Sequence, residues 1–360
     1  MDRSSEVATF RKLVPASDIE TATLEQLQAS FQYTRNRKLR LRLRFPDDYP
    51  RSELIIEILS PTLPDIALRR LTKFADAKAS ELAKEGLPQV QAIVELVQMS
   101  LAENKLLYAF DEIRQLRLLA EANDGAIKLL NERAGRIKVV LRKDAYFFQA
   151  NIKLDDHYPD SAITVACDES NFPPTVVDSL VKQANDMARR IALGYSADQA
   201  LYASNPLKKP LSLLAEPEPE APKDHIAPLY YAEDGGILHR SPLDEAVKSI
   251  LPVVKTFLWQ SRIQTLPSTT CPECDQRVLH ADPTTKVDGG SVPLLAYCGH
   301  WYHDECLGKK LESPPFAHGC KACNVILHHP KWPSDLNEMQ ARYERAQRLE
   351  REIADIADMF

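Results

Sequence analysis

A set of six cysteines and two histidines near the C-terminus constrains the fold of this chain more than any other feature. The spacing is C-x2-C, then C-x-H-x2-H-x2-C, then C-x2-C, and the eight residues are Cys271, Cys274, Cys298, His300, His303, Cys306, Cys320 and Cys323. Thiolate and imidazole are the ligands that zinc prefers, and four of them complete a tetrahedral site with no open position for a substrate. The spacing therefore predicts two structural zinc ions, whose eight ligands the fold must bring together.

The use of cysteine also indicates the compartment. Six of the seven cysteines belong to this set, and pairs at metal-ligand spacing favour a reducing cytoplasmic or nuclear setting over a disulfide framework. The N-terminal residues lack the basic start and apolar core of a secretory signal, and no apolar run is long enough to span a membrane. We therefore expect a cytoplasmic or nuclear protein without a membrane partner.

The overall charge argues against one class of partner. With a formal net charge of -6 and 27% charged residues, the chain has an ordinary globular composition. A nucleic-acid-binding protein normally carries a basic domain or stripe, and the only dense basic run here, from Arg35 to Arg44, alternates with apolar residues. That run predicts the solvated face of a strand, and we expect no nucleic-acid partner.

The segment CGHWYHDECL, from Cys298 to Leu307, closely resembles the centre of a RING-H2 finger. The resemblance covers Cys271 to about Leu327, and in that family the ligand pairs interleave. It implies one zinc held by Cys271, Cys274, His303 and Cys306, and another held by Cys298, His300, Cys320 and Cys323. A PHD finger, a FYVE finger and two independent zinc knuckles are the alternatives. PHD fingers normally place four cysteines before a single histidine, whereas here the fourth and fifth ligands are both histidines.

Resemblance to a RING implies a role in ubiquitin transfer. A RING holds a conjugating enzyme charged with ubiquitin and orients its thioester for attack by a lysine, so we expect no catalytic residue in this chain. Family members that bind these enzymes well carry an aliphatic residue, an aromatic residue, a proline and a basic residue at four positions. Those positions hold Glu273, Lys310, Lys321 and Asn324 here. The departures imply weak contacts with a conjugating enzyme, whereas Leu307 and Leu311 match apolar family positions and predict a packed helix after Cys306.

The N-terminal half contains a duplication. The segment FPDDYPRSELIIEI aligns with LDDHYPDSAITVAC at a constant offset of 109 residues, which pairs Tyr49-Pro50 with Tyr158-Pro159 and Leu71 with Leu180. Each copy predicts an alternating strand, an acidic Tyr-Pro turn, a second strand, a proline-containing loop and a helix. We call the two copies the first and second repeat.

This order of elements resembles the RWD domain, a relative of the ubiquitin-conjugating-enzyme fold, over roughly Val7 to Tyr202. The resemblance implies two α+β domains, each with an antiparallel sheet and helices, and the alternative is an unrelated duplicated α+β domain. RWD domains usually place a second proline four residues after the Tyr-Pro, where this chain has Leu54 and Ile163. The implied partners are a protein substrate or the subunits of a larger complex.

Neither repeat has the residues of an active conjugating enzyme, which needs an accessible thiolate in a polar setting. The first repeat contains no cysteine. In the second, Cys167 ends the apolar run AITVAC and lacks the His-Pro-Asn context of such enzymes. We expect Cys167 to be a buried structural thiol, and we expect the repeats to bind rather than catalyse.

The predicted organisation has six parts. They are RWD-like domains at 1–108 and 109–203, a proline-rich linker at 204–232, a helical segment at 233–265, the finger at 266–333 and an amphipathic helix at 334–360. A long charged helix is predicted from Ser100 to Asn123, and a helix capped by Ser241 is predicted to kink or break at Pro252. For the terminal helix, docking on the protein's own domains is slightly favoured over a coiled-coil seam.

Two RWD-like domains followed by a RING also resemble the ligase subunit of the Fanconi anaemia core complex, although the finger of that subunit orders its cysteines and histidines differently. The implied function is that of a RING-type ubiquitin ligase or ligase subunit, which would bind a conjugating enzyme and two zinc ions. The competing hypothesis is a non-catalytic zinc-binding scaffold within a larger assembly, which the four departures favour. Fold-level resemblance supplies neither the substrate nor the conjugating enzyme.

Overall fold

A computed structural model of the chain describes residues 3–195, 248–285, 292–316, 318–333 and 335–357. This part of the chain contains two four-stranded sheets, a two-stranded sheet and helices, which confirms the α+β class. It divides into two compact units, of which the first comprises Met1–Val139, Asn151–Val165 and Ala246–Leu251, and the second Val140–Ala150, Ala166–Glu245 and Pro252–Phe360. The predicted linker 204–232 and the Ser241 cap lie outside the described residues.

The first repeat builds an antiparallel meander with helices. Its elements are α1 (Arg3–Leu13), β1 (Ile19–Ala22), β2 (Gln26–Gln32), β3 (Lys38–Arg44), β4 (Ile55–Leu59), α2 (Asp65–Lys84) and α3 (Val90–Glu103), with strand order β1-β2-β3-β4. The alternating sequence of β3 buries Leu39, Leu41 and Leu43 and turns its arginines to the other face, as the period of two predicts.

Small residues let α2 pack closely in the core of the first repeat. The buried positions of α2 recur every fourth residue and are Ala67, Leu71, Ala75, Ala79 and Ala83. The helix ends at Lys84, and the chain turns at Gly86, whose φ of 64° suits glycine. The Gly86 N–H donates to the Ala83 carbonyl and the Leu87 N–H to the Leu82 carbonyl. This pair of bonds is a Schellman motif, which satisfies carbonyls that the helix end would otherwise leave free.

The second repeat has the same order of elements. They are α4 (Phe110–Glu121), β5 (Ala126–Asn131), β6 (Arg136–Lys143), β7 (Tyr146–Lys153), β8 (Thr164–Ser170) and α5 (Pro174–Ala192), with strand order β5-β6-β7-β8. The starts of β4 and β8, and those of α2 and α5, are separated by the offset seen in the sequence. The predicted helix from Ser100 to Asn123 is wrong, because α3 ends at Glu103 and α4 begins only at Phe110.

Both Tyr-Pro turns anchor a buried carboxylate and the start of a helix. In the first repeat the Tyr49 hydroxyl donates to Glu6, and the Gln89 N–H contacts the Tyr49 hydroxyl at 3.0 Å and Glu6 Oε1 at 2.9 Å. The Gln89 side chain in turn accepts from the Leu54 N–H at 2.9 Å. Gln89 immediately precedes α3, so the turn fixes where that helix begins.

The second repeat builds the same network across a long stretch of sequence. The Tyr158 hydroxyl donates to Glu112, the Ser249 N–H contacts the Tyr158 hydroxyl at 3.0 Å, and the Leu251 N–H donates to Glu112 Oε1 at 3.1 Å. The residues that start the helical segment Leu251–Ile263 therefore occupy the position that Gln89 and the start of α3 occupy in the first repeat. Pro252, which was predicted to kink or break a helix, lies in the first turn of this π-helical segment, and Lys248 and Ser249 just before it are not helical; residues 241–247 lie outside the described part of the chain.

Within the second unit the finger packs against the second repeat. The finger contributes β9 (Pro293–Leu295), β10 (Trp301–His303) and α6 (Asp304–Leu311). The Tyr146 hydroxyl donates to the His280 carbonyl at 2.8 Å, and the Thr175 hydroxyl at the start of α5 donates to the Pro293 carbonyl at 2.9 Å. These contacts fix the metal-binding loops against a folded helix and strand.

The first half of the terminal helix α7 (Leu336–Ala357) contacts the finger. Met339 is buried, and the ring of Tyr343 meets that of Phe316 edge to face at 5.8 Å between centroids. Further along, Leu349 and Ile353 are more than half exposed. Docking is thus seen for the first turns and not for the exposed later ones.

No helix among the described residues is long and apolar enough to cross a bilayer.

Candidate metal centre

The eight predicted ligands form two separate groups of four. Cys271, Cys274, His303 and Cys306 form one group, and Cys298, His300, Cys320 and Cys323 form the other. Within each group the potential ligand atoms lie within 4.8 Å of one another. Each group draws ligands from two distant parts of the sequence, which is the interleaved arrangement that the resemblance implied. Either group could hold one metal ion with four protein ligands.

Each group contains a short hairpin that is closed by backbone hydrogen bonds of its first cysteine. In the first, the Cys271 carbonyl accepts from the Asp275 N–H at 2.9 Å, and the Cys271 N–H donates to the Gln276 carbonyl at 2.8 Å. In the second, the Cys320 carbonyl accepts from the Asn324 N–H at 2.7 Å. Asp275 and Asn324 have φ of 56° and 60°, a conformation that Asp and Asn tolerate better than most residues.

The histidine of the first group is oriented for metal binding through Nδ1. His303 Nδ1 lies 3.3 Å from Cys274 Sγ, while its Nε2 is 3.1 Å from the Arg277 carbonyl oxygen. A proton on Nε2 donated to that carbonyl leaves Nδ1 as the lone-pair atom facing the cysteines. Metal-bound histidines commonly use their second nitrogen in this way, which fixes the tautomer and the ring orientation.

The second group has a hydrogen-bond donor aimed at a ligand sulfur. The hydroxyl of the fully buried Tyr302 lies 3.0 Å from Cys320 Sγ and donates to it. His300 Nδ1 lies 3.6 Å from the same sulfur. A donor to sulfur stabilises a thiolate, so these contacts suit a cysteine that binds metal.

Without a cation, Cys298 and Cys306 do not ionise readily, whereas hydrogen bonds led by that of Tyr302 outweigh burial and lower the pKa of Cys320. Burial, followed by neighbouring cysteines, raises the pKa of Cys298 to about 12, and burial together with Cys271 and Cys274 raises that of Cys306 to about 12. Several thiolates within 4.8 Å need a positive charge between them. Zinc supplies that charge, and its binding releases the thiol protons. The donor set and its surroundings therefore fit zinc, with no open position for catalysis.

The predicted helix after Cys306 is present as α6. Leu307 and Leu311 are buried on its inner side, which confirms their packing role. Gly308 lies against Trp332, since a Cβ there would come within 3.2 Å of the indole ring. The other histidines of residues 266–333, which are His280, His318, His328 and His329, belong to neither group.

Three of the four departures from the family pattern contact one another. Glu273 receives Lys310 Nζ and Lys321 Nζ, each at 3.1 Å, on its two carboxylate oxygens. Burial raises the pKa of Glu273, but hydrogen bonds from the two lysines outweigh it and hold that pKa below its usual value. Glu273 lies between ligands of the first group and Lys321 between ligands of the second. The sequence analysis treated these charges separately and missed the pairing, because their opposite signs are visible in the sequence but the meeting of their loops is not.

Cys167 is only half-buried, so the prediction of a buried thiol is wrong in degree. Burial nevertheless raises its pKa to about 11, and its Sγ lies 3.5 Å from the Glu169 carbonyl. A thiol with such a pKa carries very little thiolate at neutral pH, and the thiolate is the nucleophile. Its setting therefore does not suit thioester chemistry.

Comparison with known families gives no further identification. No protein-family model matches the chain, and no curated protein sequence matches it.

Proposed function

We propose that this protein is a RING-type ubiquitin ligase or ligase subunit. In this proposal the finger holds a charged conjugating enzyme, and the two RWD-like repeats recruit a protein substrate or partner subunits. The observation that carries the proposal is the interleaving of the two metal-binding groups, since each joins a ligand pair from the central segment 298–306 to a pair from one end of the finger. PHD and FYVE fingers also interleave their ligands, so the assignment to RING rests on the ligand order and the RING-H2 resemblance.

The eight ligands would hold two zinc ions, which supply folding free energy and no chemistry of their own. The protein's contribution to transfer is then positional, because holding the thioester near an acceptor lysine raises the effective concentration of the two reactants. Packing of the finger on α5 gives it a fixed place beside the second repeat within the second unit. Such an arrangement suits a finger that directs ubiquitin transfer to a protein bound elsewhere on the same chain.

A non-catalytic scaffold is the second candidate, and one contact favours it. Glu273 is occupied by Lys310 and Lys321 at the positions where active family members carry apolar residues or proline. A conjugating enzyme would have to desolvate this charged cluster or pair with it, and burying unmatched charges costs free energy. Asn324 in place of a basic residue points in the same direction.

A discharge assay with the full chain separates the two candidates. The chain is mixed with a panel of conjugating enzymes carrying ubiquitin as a thioester, and loss of the thioester to free lysine is followed. A ligase accelerates the discharge of at least one enzyme, and Asn324→Arg raises that rate further. If zinc content is two per chain and no enzyme is accelerated by either form, the scaffold assignment replaces the ligase assignment.

A further inference from the structure

The edge strand of the first sheet has a free side. Among the described residues β4 pairs only with β3, in a register that runs from Arg44 opposite Ile55 to Arg40 opposite Leu59. Every second residue of such a strand turns its N–H and C=O away from the neighbour. Within the described part of the chain these groups have no strand partner, and an unpaired edge is a template for another strand.

A groove runs beside this edge. It has a volume of about 440 Å³ and lies between β4 and one flank of α2. Ile58 and Leu59 line its strand side, and Asp65, Arg69, Lys73 and Asp76 line its helix side. On α2 these positions recur every three or four residues, so they share one face, which is separate from the core face that carries Ala67 and Leu71. A strand added to β4 would point alternate side chains into this groove.

The second repeat serves as an internal comparison. At the common offset, Ile55 corresponds to Thr164 and Leu59 to Asp168. Charged residues on an edge strand are one way in which proteins prevent unwanted pairing. β8 carries the exposed Asp168, whereas Ile55 and Leu59 of β4 are 57% and 45% exposed. The two copies thus differ at the end of the edge strand, where β8 carries Asp168 and β4 carries Leu59; the charged Glu57 in the middle of β4 is already paired with Arg42 of β3.

The wall of the groove carries a basic pair at its centre. Arg69 and Lys73 lie one turn apart on α2, both are exposed, and neither forms an ion pair within the described residues. Asp65 and Asp76 lie at the two ends of the same face. This charge order complements an extended segment with an acidic residue between its apolar ones.

We propose that the first repeat binds an extended peptide of a partner protein as a fifth strand on β4, with apolar side chains in the groove and an acidic one facing Arg69 and Lys73. Strand addition is a general mode of peptide recognition, in which main-chain bonds give affinity and pockets for alternate side chains give specificity. The inference rests on the proposed recruiting role of the repeats and is independent of ubiquitin transfer by the finger.

The test selects ligands from a displayed library of random twelve-residue peptides on the full chain. The enriched peptides are synthesised, and their affinity is measured by fluorescence anisotropy. We expect alternating apolar residues with an acidic residue among them, and slower hydrogen exchange at 55–59 when the peptide is bound. Leu59→Asp places on β4 the residue that the second repeat carries at this position, so it is compatible with the fold, and it should weaken binding by roughly tenfold or more.

Two controls make the outcome decisive. Leu118→Asp introduces the same charge at an exposed leucine of α4 and should leave affinity unchanged. Methylation of alternate peptide nitrogens should abolish binding, because strand pairing needs their N–H groups. The proposal fails if no peptide is enriched, or if enriched peptides bind the Leu59→Asp chain equally well. It also fails if the amides of 55–59 are already protected without peptide and lose that protection on dilution, since a second copy of the chain would then occupy the edge. Loss of protection on deletion of the linker 204–232 would contradict it as well, since the chain itself would then occupy the edge.

Discussion

Glu112 is expected to make the stability of the first unit depend on pH. This side chain is 2% exposed, and it accepts from the Tyr158 hydroxyl and from the Leu251 N–H. Burial is the main reason that its pKa rises from 4.5 to about 7, against the lowering effect of these hydrogen bonds and of Lys248. The folded chain therefore binds this proton more tightly than the unfolded chain does.

The sign and size follow from linkage between protonation and folding. Below pH 4.5 the proton is bound in both states and its stabilising contribution is complete; the contribution is lost as pH rises through the folded pKa of about 7. At 1.36 kcal/mol per pKa unit the full effect is about 3 kcal/mol, of which about 2 kcal/mol is lost between about pH 5.5 and 8.5. Glu112→Gln keeps the shape, stays neutral and removes this dependence.

The assay is urea denaturation of the full chain with zinc present, at several pH values across that window. The measured quantity is the difference in unfolding free energy between Glu112→Gln and the wild type at each pH, which cancels the pH dependence that the two share. We expect the wild type to lose about 2 kcal/mol relative to the variant as pH rises. Glu121→Gln removes an exposed carboxylate from the same helix and controls for the loss of a charge. A difference that stays flat with pH would refute the burial argument.

The remaining predictions concern the metal centre and Cys167. Elemental analysis should find two zinc ions per chain, and one or none would contradict the pairing of the eight ligands. Cys298→Ser should lower the zinc content and destabilise the second repeat as well as the finger, because the two pack together in the second unit; an unchanged melting profile for α5 would contradict this. Glu273→Ala should lower stability by no more than about 1 kcal/mol, measured by denaturation, since its lysine partners are partly exposed. Cys167→Ala should cost less than about 2 kcal/mol and leave any ubiquitin transfer unchanged, and a thioester trapped on Cys167 would overturn that expectation.

The features that the sequence predicted well depend on local chemistry or strict periodicity. The two metal-binding groups follow from ligand type and spacing, and β3 follows from alternation of leucine with arginine. The duplication also located β8 and α5, because corresponding elements of the two copies are separated by the same number of residues. Each of these signals lies in neighbouring or regularly spaced residues.

The features that it missed depend on contacts between distant residues. The break between α3 and α4 centres on Asn104, whose side chain accepts from the Leu106 N–H and donates to Glu132, and helical periodicity alone does not reveal such a competing bond. The link between Tyr158 and Ser249 spans 91 residues, so no local pattern indicated that the second repeat resumes there. Pairing of Glu273 with two lysines likewise required knowledge of which loops meet.

The hydrogen bonds between the finger and the second repeat depend on side chains on one side of the contact only. The hydroxyl groups of Tyr146 and Thr175 are the donors, and the backbone carbonyls of His280 and Pro293 in the finger are the acceptors. Every amino acid has that carbonyl, so the finger can change its side chains at both positions without losing an acceptor. The two positions in the second repeat are more restricted, because few side chains place a hydroxyl donor at the required distance from the carbonyl. Substitutions at the two finger positions therefore keep these hydrogen bonds, whereas substitutions at Tyr146 or Thr175 remove them. The side chains that determine this contact lie in the second repeat.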